Sequence, residues 1–200
     1  LQLAYTGDRF NYVAGLYYYY LDSKDDKRIR LEGSPFSTLA SNQKTESWAA
    51  YFNSDTSITD ELTLTLGLRY TDEQKNADYT QNLDGGILPT YDFQDLKFED
   101  SNTSYTASLD YAFADEASVY GTVSTGYKSG GFNLDVNSSN ATPDSIEFDS
   151  ENVTSYELGA KSTWLDGKLR LNGAIFYIDY SDQQVAATAI VGGVPASIVT

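Results

Sequence analysis

The sequence predicts an all-β protein, an antiparallel β-barrel that crosses a membrane with its strands, and three observations predict this class. Apolar and polar residues alternate along most of the chain, short and long connections alternate, and aromatic residues recur at two heights of the alternating runs. Alternation with period two indicates strands that have different surroundings on their two faces. Outer-membrane barrels of bacteria combine this alternation with short turns at one end, long loops at the other and two aromatic girdles.

The clearest hairpin is the segment 155–180, SYELGAKSTWLDGKLRLNGAIFYIDY. An Asp-Gly pair between two alternating runs is the strongest short-range signal for a hairpin turn. A two-residue turn at 166–167 places Tyr156 opposite Tyr177 on a face that is almost entirely apolar. Tyr156 and Trp164 are separated by about 26 Å along a strand, or roughly 20 Å vertically at a tilt of about 40°. This height is close to the apolar band of about 25 Å in a membrane barrel.

Three further hairpins show the same one-sided pattern, with short turns at residues 7–8, 59–61 and 115–116. In the first, a two-residue turn sets Tyr5 opposite Phe10. In the second, a three-residue turn aligns the leucine row 62–68 with the apolar residues of the preceding strand. In the third, an odd-length turn aligns the apolar face of 105–113 with that of 119–125. Each predicted register leaves one face apolar, as is required of a strand that lies between lipid and the water-filled lumen of a barrel, called the hollow below.

The apolar face of these hairpins is predicted to contact lipid, and the aromatic residues near its edges are predicted to form the girdles. The predicted lipid-facing residues are Leu62, Leu64, Leu66, Leu68, Leu109, Val123, Leu158, Leu171 and Ile175. The predicted girdle residues are Tyr105, Phe113, Tyr156, Trp164 and Tyr177. The opposite faces are polar and are predicted to line the hollow.

The segments between the hairpins are polar and rich in acidic residues, and they are predicted to form long external loops at about 23–44, 74–97 and 128–151. A ninth strand is plausible at 182–191. We therefore expect residues 1–200 to form part of one barrel domain, with about eight or nine strands. The ragged ends, and the absence of a leader sequence before Leu1, predict a piece of a longer chain.

Composition excludes several classes of function. The net charge of -16 disfavours a nucleic-acid partner, because phosphate contacts need Lys and Arg. Cysteine and histidine are both absent, which removes thiolate and imidazole metal sites and every Ser-His-Asp arrangement. No apolar run approaches the roughly 20 residues of a membrane helix. The sequence therefore predicts neither an enzyme nor a metal centre.

Three stretches resemble the β-barrel of TonB-dependent outer-membrane receptors: LTLTLGLRYTDEQK at 62–75, VYGTVSTGYKSGGFN at 119–133, and the segment 155–184. The resemblance implies a 22-stranded barrel in the outer membrane of a Gram-negative bacterium, closed by a plug. It also implies import of a ferric siderophore, with energy delivered by the TonB complex through an N-terminal segment. The plug, that segment and the terminal strands of the family are absent from this sequence. Lipid and lipopolysaccharide are the expected surroundings.

The resemblance suggests where such a ligand would bind. Arg69 and Lys128 lie near the external ends of their strands and are candidates for contact with an anionic ferric chelate. The aromatic candidates for stacking on planar groups of the ligand are Tyr79, Tyr91, Tyr127 and Phe132. The alternative is that inward-facing charges only hydrate the hollow and pair across strands. A near match to a phosphate-binding loop at 121–129 has the wrong spacing and no following helix.

No covalent cofactor is predicted, and the acidic segments suit loosely held Ca²⁺ or Mg²⁺ that bridges to lipopolysaccharide phosphates. Four functions remain open on the sequence: an energy-coupled importer, a passive porin or small adhesion barrel, an outer-membrane enzyme, and a soluble sheet protein. A plug upstream of Leu1 would select the importer, whereas closure with eight strands would select the porin or adhesion barrel. The absence of histidine counts against the enzyme.

Overall fold

The computed structural model describes residues 1–29, 37–83, 90–134, 141–191 and 194–199, and nearly all of them are in β-strands. The elements in chain order are β1 (Gln2–Thr6), β2 (Phe10–Ile29), β3 (Ser37–Ser57), β4 (Leu62–Leu83), β5 (Tyr91–Ala114), β6 (Ala117–Lys128), β7 (Gly131–Phe132), α1 (Pro143–Ile146), β8 (Glu147–Phe148), β9 (Glu151–Trp164), β10 (Leu169–Ser181), β11 (Ala186–Val191) and β12 (Val194–Val199). Within the described ranges, no helix is long and apolar enough to cross a membrane.

Eight strands form one antiparallel sheet in the order β1-β2-β3-β4-β5-β6-β9-β10. Because each strand pairs with the next one of the sheet along the chain, all four short turns lie at the same end of the sheet. The strands β1 and β10 are its two edges. A twisted antiparallel sheet with open edges and short turns at one end is what a segment of a larger barrel requires.

Three of the four predicted registers are confirmed. Tyr156 pairs with Tyr177 in β9 and β10, Leu68 pairs with Phe52 across β4 and β3, and the third hairpin pairs Ala107 with Val123. In the first two cases turn length fixes the register; in the third, a two-residue turn pairs Ala114 with Ala117, and a shift between Ala112 and Ala114 then produces the predicted pairing.

The register of the first hairpin was predicted wrongly. Tyr5 pairs with Tyr12 rather than with Phe10. The connection is longer than two residues, because the Gly7 amide donates to the Phe10 carbonyl oxygen at 3.2 Å and to the Asn11 Oδ1 at 3.3 Å. A shift of two residues leaves the facing of every side chain unchanged, so the apolar face survives the error.

The predicted loops are shorter than expected, because the strands continue through most of them. The pair β2 and β3 remains in register up to Ile29 and Ser37, and β4 and β5 extend to Leu83 and Tyr91. In the predicted loops 23–44 and 74–97, only residues 30–36 and 84–89 lie outside the described residues. The described residues of the third, 128–134 and 141–151, contain β7, α1 and β8. Residues 22–28 of β2 are polar and exposed on both faces, whereas the extensions of β3, β4 and β5 are partly buried on their inner side.

A β-bulge interrupts the ladder of β4 and β5 between Ala77 and Tyr79. Its extra residue Asp95 adopts the left-handed conformation with φ of 56°, and its amide donates to the Asp78 Oδ1 at 3.1 Å. Aspartate tolerates this conformation better than most residues, and the local hydrogen bond stabilises it. The bulge shifts the register above it by one residue, so Phe93 faces Tyr79.

The outer face of the sheet carries the residues predicted to contact lipid. Leu158 is 62% exposed and Ile175 is 73% exposed. Apart from Phe113, which lies at an irregularity near the end of β5, the register places every predicted lipid-facing and girdle residue on this one face. The opposite, inner face is polar: Thr65 donates to the Asp55 Oδ1 at 2.6 Å. Side chains exposed in an isolated sheet are available to lipid, so lipid contact remains the prediction for this face.

Apart from Ala49 in the middle of β3, the buried apolar side chains lie at the end of the sheet away from the short turns. They form two clusters on the inner side, in contact with the chain between β6 and β9. The first cluster contains Ala77, Leu96, Phe98, Phe132 and Ile146. The second contains Leu39, Tyr79 and Tyr91. Phe93, Leu134 and Ala141 pack against both clusters and so join them.

The predicted ninth strand is only partly confirmed. Residues 186–191 form β11, but this strand pairs with β12 in a separate two-stranded sheet. It does not extend the eight-stranded sheet beyond β10.

Candidate ligand cavity

A cavity of about 660 Å³ lies on the inner face of the sheet, toward the end away from the short turns. One wall comes from the inner faces of β2, β3 and β4, and the other from the end of β6 and from the chain that follows β6 and β10. The lining residues are Tyr17, Tyr19, Ser47, Arg69, Thr71, Glu73, Lys75, Tyr127, Lys128, Ser129, Phe148, Gln184 and Ala186. The volume falls in the range of small-molecule sites.

The side chains from β4 reach the cavity because they alternate along one strand. Arg69, Thr71, Glu73 and Lys75 are spaced by two residues, so all four point to the inner face. Arg69 lies seven residues beyond the start of β4 at Leu62, which corresponds to about 18 Å of height at the usual tilt. The cavity therefore begins near the upper limit of the apolar band and continues above it.

The cavity is rich in positive charge although the chain is strongly acidic. Arg69, Lys75 and Lys128 line it together with one carboxylate, that of Glu73. Glu73 is already paired, because its Oε1 lies 3.0 Å from the Lys75 Nζ. Arg69 forms no ion pair with the described residues; its Nε donates to the Thr71 Oγ1 at 3.0 Å. This arrangement favours an anionic ligand.

Aromatic rings accompany these cations. The Arg69 guanidinium carbon lies 5.4 Å from the ring centroid of Tyr17, which is within the range of a cation–π contact. Tyr19, Tyr127 and Phe148 also line the cavity. Rings and cations on one concave surface suit a ligand that is both planar and negatively charged.

The wall opposite β4 is fixed by hydrogen bonds to its backbone. The Gln184 Nε2 lies within hydrogen-bond distance of the Lys128, Ser129 and Asp149 carbonyl oxygens, at 3.3, 3.2 and 2.9 Å. The backbone N–H of Gln184 also donates to the Glu151 Oε2 at 2.9 Å. A single residue in the chain that follows β10, Gln184, thus joins the end of β6 to the start of β9.

The structure brings together three of the six residues predicted to bind a ligand. Arg69, Tyr127 and Lys128 all line the cavity. The other three, Tyr79, Tyr91 and Phe132, belong to the two buried clusters and do not line it. Their rings pack on protein: Tyr91 stacks on Phe93 at 5.3 Å between ring centroids. Inward-folded chain covers them, so their contact with a ligand stays a prediction that this geometry does not support.

Several lining residues were not among the predicted ligand contacts. Tyr17 and Tyr19 could have been included, because alternation along β2 puts them on the inner face. Lys75 was assigned to a loop, and only the extension of β4 brings it into the row of Arg69. Phe148 and Gln184 come from segments without strand periodicity, so the sequence contained no signal for them.

The acidic residues do not gather into a metal site in the described part of the chain, where no group of three or more carboxylates could hold an ion. The fold and the cavity together define a segment of a membrane-spanning β-barrel that holds a ligand-sized, positively charged cavity on its inner wall.

Comparison with known proteins identifies the family. Residues 1–198 match the family model described as TonB dependent receptor-like, beta-barrel, so the chain belongs to this family. The pesticin receptors of Yersinia enterocolitica and Yersinia pestis are 26% and 27% identical over 187 residues, which cover 92% of this chain and 26% of each relative. The chain thus spans about a quarter of the length of these relatives.

Two solved structures show the same fold. The ferric yersiniabactin uptake receptor FyuA from Yersinia pestis superposes with a TM-score of 0.80 at 24% identity, over 92% of this chain and 28% of that one. The ferric-catecholate import receptor Fiu from E. coli K12, in its closed form, gives 0.69 at 14% identity, over 98% and 32%. These comparisons place the chain in the outer membrane of a Gram-negative bacterium, and the family is one of transport receptors.

Proposed function

We propose that the complete receptor imports an anionic ferric chelate across the outer membrane, and that the cavity around Arg69 contacts this ligand. The observation that supports this proposal is the excess of positive charge in the cavity. Three of the 13 Lys and Arg residues line one cavity beside a single, already paired carboxylate, in a chain of net charge -16. If the inward-facing charges only hydrated the hollow of the barrel, we would not expect cations to be concentrated in one cavity.

The three predicted contacts that line the cavity each have a specific part in this proposal. Arg69 has guanidinium N–H groups available for a carboxylate or phenolate oxygen of the ligand, and Lys128 supplies a second cation. Tyr127 offers an aromatic ring for stacking, and Tyr17, held beside Arg69, offers another. Family membership favours this importer over the passive porin or adhesion barrel, and transport rather than catalysis is the role we propose.

The partners follow from the same proposal. A segment of the receptor outside this chain would contact the TonB complex, which delivers the energy for import. The outer face would contact lipid, and the strand extensions above it would contact lipopolysaccharide. Loosely held Ca²⁺ or Mg²⁺ could bridge acidic residues of those extensions, such as Asp72 and Glu99, to lipopolysaccharide phosphates.

The test is the substitution Arg69→Gln in the complete receptor. The ferric complexes of yersiniabactin and of 2,3-dihydroxybenzoate serve as probes, and binding is measured by titration calorimetry on detergent-purified protein. A hydrogen bond to a charged group contributes about 1.5–3 kcal/mol, so the dissociation constant for the bound probe should rise about 10- to 100-fold.

The matched control is Arg170→Gln, which removes the same side chain from the inner face near the short turns. It should change the dissociation constant less than about twofold. Equal affinities in wild type and Arg69→Gln would contradict the placement of the ligand, whereas an equal loss in both variants would indicate a general effect of charge in the hollow.

A further inference from the structure

The chain between β6 and β9 does not extend away from the barrel but folds back onto the inner wall. Its described residues, 129–134 and 141–150, are called the inner segment here. Gly131 and Phe132 pair with Phe148 and Glu147, and the Asn133 amide donates to the Ile146 carbonyl oxygen at 2.7 Å. The inner segment thus forms a compact double strand closed by a short helical turn.

Apolar contacts hold this double strand against the sheet. Phe132 is only 8% exposed and meets the Phe98 ring edge to face at 6.3 Å between centroids. Ile146 is 1% exposed in the same cluster. Gly130 lies so close to the wall that a Cβ there would approach the Phe98 Cζ to 2.6 Å and clash with the Phe148 carbonyl oxygen. These contacts give adhesion, but they do not by themselves fix which residues face the cavity.

Lys75 supplies directional contacts at the junction of the inner segment and the cavity. Its Nζ donates to the Ser129 Oγ at 3.1 Å and to the Gly130 carbonyl oxygen, and it pairs with the Glu73 carboxylate. The same ammonium lies 5.8 Å from the Phe98 ring centroid. Its side chain is only 14% exposed. Hydrogen bonds from a largely buried ammonium are stronger than exposed ones and are costly to lose.

A second set of hydrogen bonds reaches the same point from β5. The Gly130 amide donates to the Ser150 Oγ at 3.1 Å, and the Ser150 hydroxyl donates to the Asp100 carboxylate. The start and the end of the inner segment are therefore joined to each other and to both β4 and β5. Ser129 and Phe148, which line the cavity, lie directly beside this junction.

We infer that Lys75 is a positioning residue: its ammonium holds the inner segment against β4 and β5 and so sets the shape of the ligand cavity. This inference rests on the proposed function only in treating the cavity as the ligand site. Without the ammonium, the Gly130 carbonyl oxygen and the Glu73 carboxylate lose their shared partner, and the segment separates from the wall more often.

The experiment is hydrogen exchange of the ligand-free complete receptor, read by mass spectrometry on peptides that cover residues 129–134 and 141–150. Lys75→Gln should speed exchange in these peptides by about tenfold, because local opening limits their protection. Lys75→Arg, which keeps a cation and several donors, should restore most of the protection. The matched control is Lys161→Gln, because Lys161 also combines an ion pair with a cation–π contact, to Asp110 at 3.8 Å and Tyr120 at 4.7 Å.

Binding of ferric yersiniabactin or ferric 2,3-dihydroxybenzoate, whichever the wild type binds, provides the second readout. Faster exchange and weaker binding in Lys75→Gln, with neither change in Lys161→Gln, would support the inference. Unchanged exchange in Lys75→Gln would overturn it. Faster exchange with unchanged binding, while Arg69→Gln loses affinity, would also overturn it, because the segment would then not shape the cavity. Faster exchange with no effect of Arg69→Gln on binding would support the anchoring by Lys75 and overturn only the proposed ligand site.

Discussion

Gly173 provides a direct test of which face of the sheet meets lipid. It pairs with Ala160 on the outer face of β10, midway between the Leu169–Trp164 pair and the Tyr177–Tyr156 pair. Four residues separate it from either pair, or about 13 Å along the strand and about 10 Å in height at a tilt of about 40°. If the two aromatic levels mark the edges of the apolar band, Gly173 lies at its middle.

An arginine at this position isolates the effect of the surroundings from the effect of packing. A Cβ added at Gly173 meets nothing within 4 Å in this sheet, so no clash with the strands described here accompanies the substitution. Arginine at the middle of the apolar band of a membrane barrel costs about 2–4 kcal/mol. Gly173→Arg should therefore destabilise the receptor by about that amount, whereas Gly173→Leu should be neutral or stabilising.

The assay is chemical unfolding of the complete receptor in lipid vesicles. The folded fraction is measured on a gel run with unheated samples, as the fraction that keeps the mobility of the folded barrel. Ala174→Arg is the matched control, because this neighbour on β10 faces the hollow and its charge remains hydrated. The free energy of unfolding should fall in the order Gly173→Leu, Ala174→Arg, Gly173→Arg. Equal stability of the two arginine variants would refute the assignment of the outer face to lipid.

Two further predictions concern the inner segment. Gly130→Ala should displace residues 129–134, because the new Cβ would clash with the Phe148 carbonyl oxygen, and the hydrogen exchange of these residues should become faster. The control is Gly126→Ala, whose Cβ would meet only a Val153 methyl at 3.3 Å and which should leave their exchange unchanged. Equal protection in both variants would contradict the close packing. Phe132→Ala should cost about 3–5 kcal/mol of local stability, since the ring is buried, and should speed exchange, whereas the exposed Phe176 should tolerate alanine. A loss of ligand affinity in Phe132→Ala without faster exchange would instead restore Phe132 as a ligand contact.

The sequence predicted the part of the sheet near the short turns well because its two faces differ in composition. An apolar outer face and a polar inner face impose the period of two that places Leu158 and Ile175 together. Turn length, and in the third hairpin also the shift between Ala112 and Ala114, then leaves one register that keeps this order, and three of the four predicted registers agree with it. The first hairpin failed at the turn itself, where the Asn11 side chain accepts from the Gly7 amide and lengthens the connection. Composition gives no warning of that contact.

The end of the sheet away from the short turns was predicted poorly, because the alternation is weak in its sequence. Residues 22–28 of β2 are polar and exposed on both faces, so strand and loop have the same composition there. The residues 23–29 were therefore assigned to a loop although they continue the ladder. The bulge at Asp95 then changes which residues of β5 face inward, and alternation counted from Tyr105 cannot anticipate it.

The regular part of the sheet and the covered part meet at the cavity, which explains why three of the six predicted ligand contacts line it. Arg69 belongs to the regular part of β4, where counting by two assigns its side chain to the inner face. Tyr79 lies on the same inner face of the same strand, but the inner segment covers it and makes it core. An aromatic residue on the inner face is thus available to a ligand only where no chain folds back over it. Lys75, between the two, contacts both the cavity and the covering chain, and so marks the limit of what alternation along the strand can predict.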